Sequence, residues 1–253
     1  MFYFLIAPQL TYHWILIAAA VVPAVFLMVK VYRSDKLEKE DTAFLFRLAL
    51  SGIMATFAAM LLEWIGESVL DAFCAEESKA YNIILYFVIV GFSEEGSKYY
   101  LLKRRTWHSP EFNCQYDAVV YSVFVSLGFA LWENISYVLH YGFQTALVRA
   151  VTAIPGHACF GVFMGALYGL ARGCAYLRHN GASKFFRVSA VVLPALIHGA
   201  YDYIASAGST SGDFVFLIFI AVLFVISYLL VGRLSKNDKY FAQHRTDFDF
   251  KNI

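Results

Sequence analysis

Residues 214–231 read FVFLIFIAVLFVISYLLV, a run of 18 residues without a charged side chain. A helix that crosses a bilayer needs about 20 mostly apolar residues, so this run predicts a membrane-spanning helix. The composition agrees, because 60% of the 253 residues are hydrophobic and only 15% are charged. Soluble domains average about 25% charged residues. The sequence therefore predicts an integral membrane protein.

Six further segments are long and apolar enough to cross a bilayer. We place the seven spans at residues 12–31, 42–62, 81–102, 118–139, 148–170, 188–205 and 214–231. The connecting segments are short, so no domain outside the membrane is expected. Residues 1–253 are thus predicted to form one all-α, polytopic transmembrane helix bundle. Its polar core lies at about 81–205, and a short tail follows at 232–253.

The basic residues alternate between the two sides of this bundle. Sixteen of the 20 Lys and Arg residues fall on one side, whereas the other side has only Lys79 and Arg149. By the positive-inside rule the N-terminus is outside and the C-terminus is cytoplasmic. Residues 63–80 are then expected to form an acidic outer loop. The net charge of +1 excludes a nucleic-acid binder driven by bulk charge.

Several ionisable residues fall inside the predicted spans, where they cost several kcal/mol unless paired, hydrated or neutralised. Each is therefore a functional candidate: Glu94, Glu95, Lys98, Glu133, His157, His198 and Asp202. Two pairs, Glu94 with Lys98 and His198 with Asp202, are spaced i,i+4 and so share a helix face. Lys98 can neutralise one of the adjacent glutamates, which leaves the other for a proton, a metal ion or a substrate.

The depths of these residues agree across the spans. At ~1.5 Å per residue, Glu133 lies ~9 Å, His157 ~14 Å and His198 ~11 Å from the outer ends of their helices. The two glutamates of the third span lie deeper, and Asp202 lies close to the outer surface. Carboxylates and imidazoles at one level predict a hydrated site open to the extracytoplasmic side. Such oxygen and nitrogen ligands suit Zn²⁺, with a free carboxylate available as a base.

The motifs of the third to sixth spans resemble those of one protease family. Glu94-Glu95-x-x-Lys98, Phe129-x-x-x-Glu133 and His198-x-x-x-Asp202 are similar to the E-E-x-x-K, F-x-x-x-E and H-x-x-x-D motifs of the PrsW family of intramembrane proteases. The string DAVVYSVFVSLGFALWEN at 117–134 and His157 also match that family. The wider group to which the family belongs includes the CAAX prenyl proteases and bacteriocin-processing enzymes.

The resemblance implies hydrolysis of a membrane-anchored protein, typically the first extracytoplasmic cut in an anti-sigma-factor cascade. The expected bases are Glu94 and Glu95. The residues expected to hold Zn²⁺, or to position the water without a metal, are Glu133, His157 and His198. The residues with supporting roles are Lys98, Asp202 and Asn134. The resemblance also places the chain in a bacterial cell membrane, with lipid as its surroundings and its oligomeric state open.

Two other functions explain part of the same pattern. A proton- or cation-coupled transporter or channel would use the buried carboxylates as a relay, and it predicts a polar path across both leaflets. A catalytically inert scaffold would use the polar residues only for interhelical hydrogen bonds. The outward bias of the polar cluster favours the protease over the transporter, and the buried charges favour it over the scaffold.

Overall fold

The computed structural model of the protein describes residues 2–75 and 78–242, with the side chains of residues 11–75 and 78–242. Glu76 and Glu77 of the predicted outer loop, and residues 243–253 of the predicted tail, lie outside the described residues. The described part of the chain is helical, with an isolated bridge between Cys114 and Tyr240 as its one β-type pairing.

Nine α-helices and one π-helical segment follow one another along the described chain. They are α1 (Phe2–Ser34), α2 (Thr42–Phe73), α3 (Lys79–Ile83), the π segment (Ile84–Val90), α4 (Gly91–Thr106), α5 (Gln115–Tyr141), α6 (Phe143–Val151), α7 (Ala153–Tyr176), α8 (Asn180–Ala205) and α9 (Thr210–Lys236). Since α3, the π segment and α4 are continuous, they form one long helix.

Six stretches of the described chain are long and apolar enough to cross a membrane, which confirms the all-α membrane bundle. They coincide with six of the seven predicted spans. The remaining predicted span is the continuous helix from Lys79 to Thr106, which packs against α2 and α8. It falls outside the six because Glu94, Glu95 and Lys98 interrupt its apolar sequence. The least hydrophobic helix of the bundle is thus the one that carries the charged motif.

Two predicted boundaries are wrong, and both corrections concern the outer end of the bundle. The predicted loop at 63–80 is helical as far as Phe73, so Glu63 and Glu67 lie on α2. The fifth predicted span begins with the separate helix α6, which ends at a break at Thr152 (φ −119°, ψ −70°) before α7 starts. Pro155 lies in the first turn of α7, where its missing N–H removes no helical hydrogen bond.

Helix α5 forms the centre of the bundle, and α9 lies at its periphery. In an apolar stretch of 18 residues, 72% of the α5 stretch is buried, compared with only 17% of the α9 stretch. Most of α9 is therefore free to face lipid. Along α7, Gly161, Gly165 and Gly169 face α5, and a Cβ added at Gly165 would lie 2.5 Å from Val119 Cα. The glycines therefore permit close helix contact, as small residues do in membrane proteins.

Candidate active site

A cavity of about 380 Å³ lies between α5 and the helices around it, toward the end of the bundle that the sequence predicts to be the outer one. Five predicted site residues line it: Glu94, Glu133, His157, His198 and Asp202. The other three, Glu95, Lys98 and Asn134, are fully buried and do not line the cavity. The structure therefore brings the four motif-bearing helices together as the sequence predicts, and it separates the residues that face the cavity from those behind it.

Lys98 contacts both adjacent glutamates. Its Nζ donates to Glu94 Oε2 over 2.9 Å and to Glu95 Oε1 over 2.7 Å, so one ammonium binds two carboxylates. The side chain is inaccessible to solvent, and Nζ also lies 3.9 Å from the centre of the Phe129 ring. A buried charge is tolerated only when it is paired and hydrogen-bonded, a condition that these contacts meet.

His157 joins this lysine to Glu133. Its Nδ1 lies 3.2 Å from Lys98 Nζ, and its Nε2 lies 2.8 Å from Glu133 Oε2. An ammonium has only donors, so Nδ1 accepts and Nε2–H donates to the carboxylate. The two neighbours thereby fix both the tautomer and the orientation of the ring, and a metal ion would bind Nε2 only in place of that proton.

His198 is held between two carboxylates. Its Nδ1 lies 3.0 Å from Glu95 Oε1, and its Nε2 lies 3.4 Å from Asp202 Oδ2. A neutral imidazole that donates from Nδ1 presents a lone pair at Nε2, which the Asp202 carboxylate would repel. A proton or a metal ion at Nε2 removes that repulsion. Phe160 stacks on the ring at a centroid distance of 4.6 Å and restricts its rotation.

Arg149 is a site residue that the sequence reasoning placed only on the outer side, without a role. Its terminal nitrogen lies 3.1 Å from Glu133 Oε2, and its Nε donates to Asn134 Oδ1 over 2.8 Å. Asn134 in turn donates to the backbone oxygen of Ala20 over 3.3 Å, which ties this pair to α1. One feature of the sequence could have indicated this role, because Arg149 is one of only two basic residues on the predicted outer side.

Two acidic residues of α2 were also missed, because the outer end of α2 was predicted to be a loop. Glu63 and Glu67, one helical turn apart, line the same cavity. Glu63 Oε1 is buried and makes no hydrogen bond to the described residues. The cavity wall is thus more acidic than the four motif helices alone predict.

The donors of the cavity suit a metal ion. Glu94, His157 and His198 each offer a ligand atom, and these atoms lie within 4.8 Å of one another. Two imidazoles and a carboxylate form a ligand set that Zn²⁺ accepts in catalytic sites. The predicted ligand set contained Glu133 instead of Glu94. In the structure Glu133 lies at hydrogen-bond distance from His157, and Glu94 completes the compact group.

A carboxylate and imidazole centre inside a bundle of membrane helices is the arrangement expected of an intramembrane hydrolase. The comparison with known proteins is more specific. The model of the PrsW family, described as intramembrane metalloproteases, matches residues 40–231. The chain therefore belongs to the PrsW family, and it is a peptidase of a bacterial membrane that it crosses several times. This finding favours the protease over the transporter and scaffold alternatives.

Curated relatives agree over most of their length. The chain is 33% identical to Protease PrsW of Halalkalibacterium halodurans over 88% of this chain and 99% of the relative. It is 32% identical to Protease PrsW of Geobacillus kaustophilus over 82% and 87%, and 32% identical to Protease PrsW of Bacillus subtilis over 76% and 83%. No solved structure matches the chain.

Proposed function

We propose that this peptidase hydrolyses a peptide bond of a membrane-anchored protein, near the extracytoplasmic face of the bilayer. The observation that carries the proposal is the cavity, which brings Glu94, Glu133 and both histidines to one wall. Under the predicted orientation the cavity lies in the outer half of the bundle. An extended segment unwound from a substrate helix would enter there.

We further propose that Glu94, His157 and His198 hold a divalent metal ion, for which Zn²⁺ is the best match. Such an ion supplies Lewis-acid chemistry, by polarising the scissile carbonyl and making water more acidic. The support is the compact donor group and the family's description as metalloproteases. Glu95 contacts Nδ1 of His198 and would orient the ring, as outer carboxylates do in other metal sites, which leaves Nε2, beside Asp202, for the ion.

Glu133 is the proposed general base. It lines the cavity, contacts His157, and is not part of the compact donor group. Its carboxylate takes a proton from the attacking water as the new C–O bond forms. The same proton is then transferred to the leaving amine as the C–N bond breaks. Arg149 fixes the position of the carboxylate, and Lys98 balances Glu94 and Glu95 from behind the cavity wall.

The proposed substrate class is an anti-sigma factor with a single membrane span, cut first on its extracytoplasmic side. The family resemblance supports this substrate, and the outward position of the cavity is compatible with it. Placement in the wider group with the CAAX prenyl proteases and bacteriocin-processing enzymes is likewise a proposal that rests on the motifs.

Co-expression with candidate single-span membrane proteins tests the proposed function. Wild-type protein should release a shortened fragment of its substrate, and the Glu94→Gln/Glu95→Gln double variant should release none. Glu111→Gln makes the same chemical change at an exposed residue that does not line the cavity, so this variant should cut normally. Cleavage at an unchanged rate by the double variant would show that the assigned centre is wrong.

A further inference from the structure

A second group of acidic side chains lies at the opposite end of α5 from the cavity. We call Asp35, Glu40, Asp117 and Asp238 the inner acidic cluster. They come from the loop after α1, the first turn of α5 and the segment after α9. Ligand atoms of Asp35, Glu40 and Asp117 lie within 4.8 Å of one another, and Asp117 also forms such a group with Cys114 and Asp238.

Three of these four carboxylates are buried, and none of the four forms an ion pair among the described residues. Asp35 and Asp117 are each 2% exposed and Glu40 is 6% exposed. Asp35 Oδ2 and Glu40 Oε2 are inaccessible to solvent and make no hydrogen bond to the described residues. Within the described part of the chain, no Lys, Arg or His forms an ion pair with any member of the cluster. Lys39 Nζ donates instead to the backbone oxygens of Tyr32 and Asp35.

The pKa values of these carboxyls reflect their burial and their lack of ion pairs. Burial raises the pKa of Glu40 to about 7 and the pKa of Asp238 to about 6. Burial also raises the pKa of Asp35, even though Lys39 acts in the opposite direction. Since the described residues supply no ion pair here, a bound cation would offset both the cost of burial and the mutual repulsion of the carboxylates.

The cluster joins parts of the chain that are far apart in sequence. Asp238 Oδ1 accepts from Tyr116 N over 3.1 Å, and Phe241 N donates to Asn113 O over 2.9 Å. Phe241 is buried against Phe112. Residues 237–242, which we call the C-terminal strap, are therefore held across the end of the bundle beside the acidic oxygens.

We propose that the inner acidic cluster is a binding site for a hard divalent cation of the Mg²⁺ class, which joins the loop after α1 to α5 through Asp35, Glu40 and Asp117 and relieves the repulsion between Asp117 and Asp238 of the C-terminal strap. The close group of Asp35, Glu40 and Asp117 offers carboxylate oxygens, the ligands that Mg²⁺ and Ca²⁺ take in proteins. The buried, unpaired oxygens of Asp35 and Glu40 are the evidence for a missing positive partner. This site is distinct from the proposed catalytic metal site, which lies at the outer end of α5.

Cys114 provides a local probe of this site. Its side chain is fully buried beside Asp117 and Asp238, so a thiol reagent reaches it only when the strap opens. The experiment uses the full chain in detergent with Cys74→Ser, Cys159→Ala and Cys174→Ser, which leaves Cys114 as the single thiol. Alkylation is timed with Mg²⁺ and with Na⁺ at equal ionic strength.

Mg²⁺ should slow alkylation of Cys114 about tenfold when its concentration is about ten times the dissociation constant. The Asp35→Asn/Glu40→Gln variant should lose this response, whereas Glu111→Gln, at an exposed neighbour, should keep it. Glu94→Gln should also keep it, because that change affects only the outer cavity. If the double variant does not fold, Asp35→Asn alone replaces it, and the wild-type titration is decisive in either case.

Either of two results would overturn the proposal. One is a wild-type alkylation rate that Mg²⁺ does not change at millimolar concentration, which would mean that the carboxyls are simply protonated. The other is an equal Mg²⁺ response in the Asp35→Asn/Glu40→Gln variant, which would place the cation elsewhere. If the first result is accompanied by a response to Zn²⁺, the Cys114 thiol rather than a hard-cation site is implicated.

Discussion

Helix α5 carries buried carboxylates near both ends, and the two groups differ in how their charge is compensated. At the outer end, Glu133 contacts Arg149 and His157, and the neighbouring glutamates share Lys98. At the inner end, Asp117 belongs to a cluster without an ion pair among the described residues. The outer group is therefore organised by the protein's own cations, whereas the inner group is the one for which we propose a bound cation.

The largest effect on stability is expected from removing Lys98. In Lys98→Met, Glu94 and Glu95 lose their shared cation while the side-chain volume is nearly kept, and breaking such a buried pair costs about 3–5 kcal/mol. Unfolding in detergent micelles measures the loss. Lys103→Met, on the same helix but without an ion pair in the described structure, should cost less than about 1 kcal/mol. Similar losses for both variants would show that Lys98 does not hold the outer group together.

A smaller loss of stability is expected from a change at the α5–α7 contact. This contact positions α5, which carries residues of both acidic groups. Gly165→Ala places a methyl group where Val119 Cα would be 2.5 Å away, so the helices must separate. Overpacking of this kind costs about 1–3 kcal/mol. Gly232→Ala on α9 has no atom within 4 Å of the added carbon and should be neutral or slightly stabilising. Equal unfolding free energies for the two variants would contradict the close contact.

The smallest expected effect is a gain in stability rather than a loss, and it comes from replacing Glu40. Burial raises its pKa to about 7, so the folded protein binds the Glu40 proton more tightly than the unfolded chain does. The resulting destabilisation is absent well below the unfolded pKa of about 4.5 and complete above pH 7. Without divalent cations at pH 8, Glu40→Gln should therefore be more stable than wild type, by about 1 kcal/mol.

The pH dependence supplies the control for that measurement. At pH 4 the difference between Glu40→Gln and wild type should nearly disappear, since Glu40 is then protonated in the folded state and mostly protonated in the unfolded chain. The acidic neighbours, Asp35, Glu38, Glu111 and Asp117, act in the same direction on Glu40, while Lys39 and the Tyr121 hydroxyl are its other polar neighbours. A Glu40→Gln variant that is less stable than wild type at pH 8 would mean that the protein compensates this carboxylate after all.

Much of the outer site was predictable, because its residues follow local rules. The i,i+4 spacing predicts the contacts of Glu94 with Lys98 and of His198 with Asp202, and the structure confirms both. Counting along alternating helices also brings Glu133 and the histidines to one level. These predictions need only the helix geometry and the order of the spans.

Other features depend on packing that a single sequence does not encode locally. Glu94 and Glu95 are 100° apart on one helix, so only the packed bundle shows that Glu94 lines the cavity and Glu95 lies behind it. Arg149 reaches Glu133 because α6 is a separate short helix. The inner acidic cluster joins residues as distant as Asp35 and Asp238, which no local sequence pattern connects.

The central claim is that Glu94 and Glu133 face the same cavity with different roles, one as a metal ligand and one as the base. The metal content and the cleavage rate of purified Glu94→Gln, Glu133→Gln and wild-type protein test it most directly. We predict that Glu94→Gln loses the bound metal, and that Glu133→Gln retains it while cleavage falls about 10²–10⁴-fold. Loss of metal from Glu133→Gln with retention by Glu94→Gln, or metal-free wild-type protein with full activity, would contradict the account.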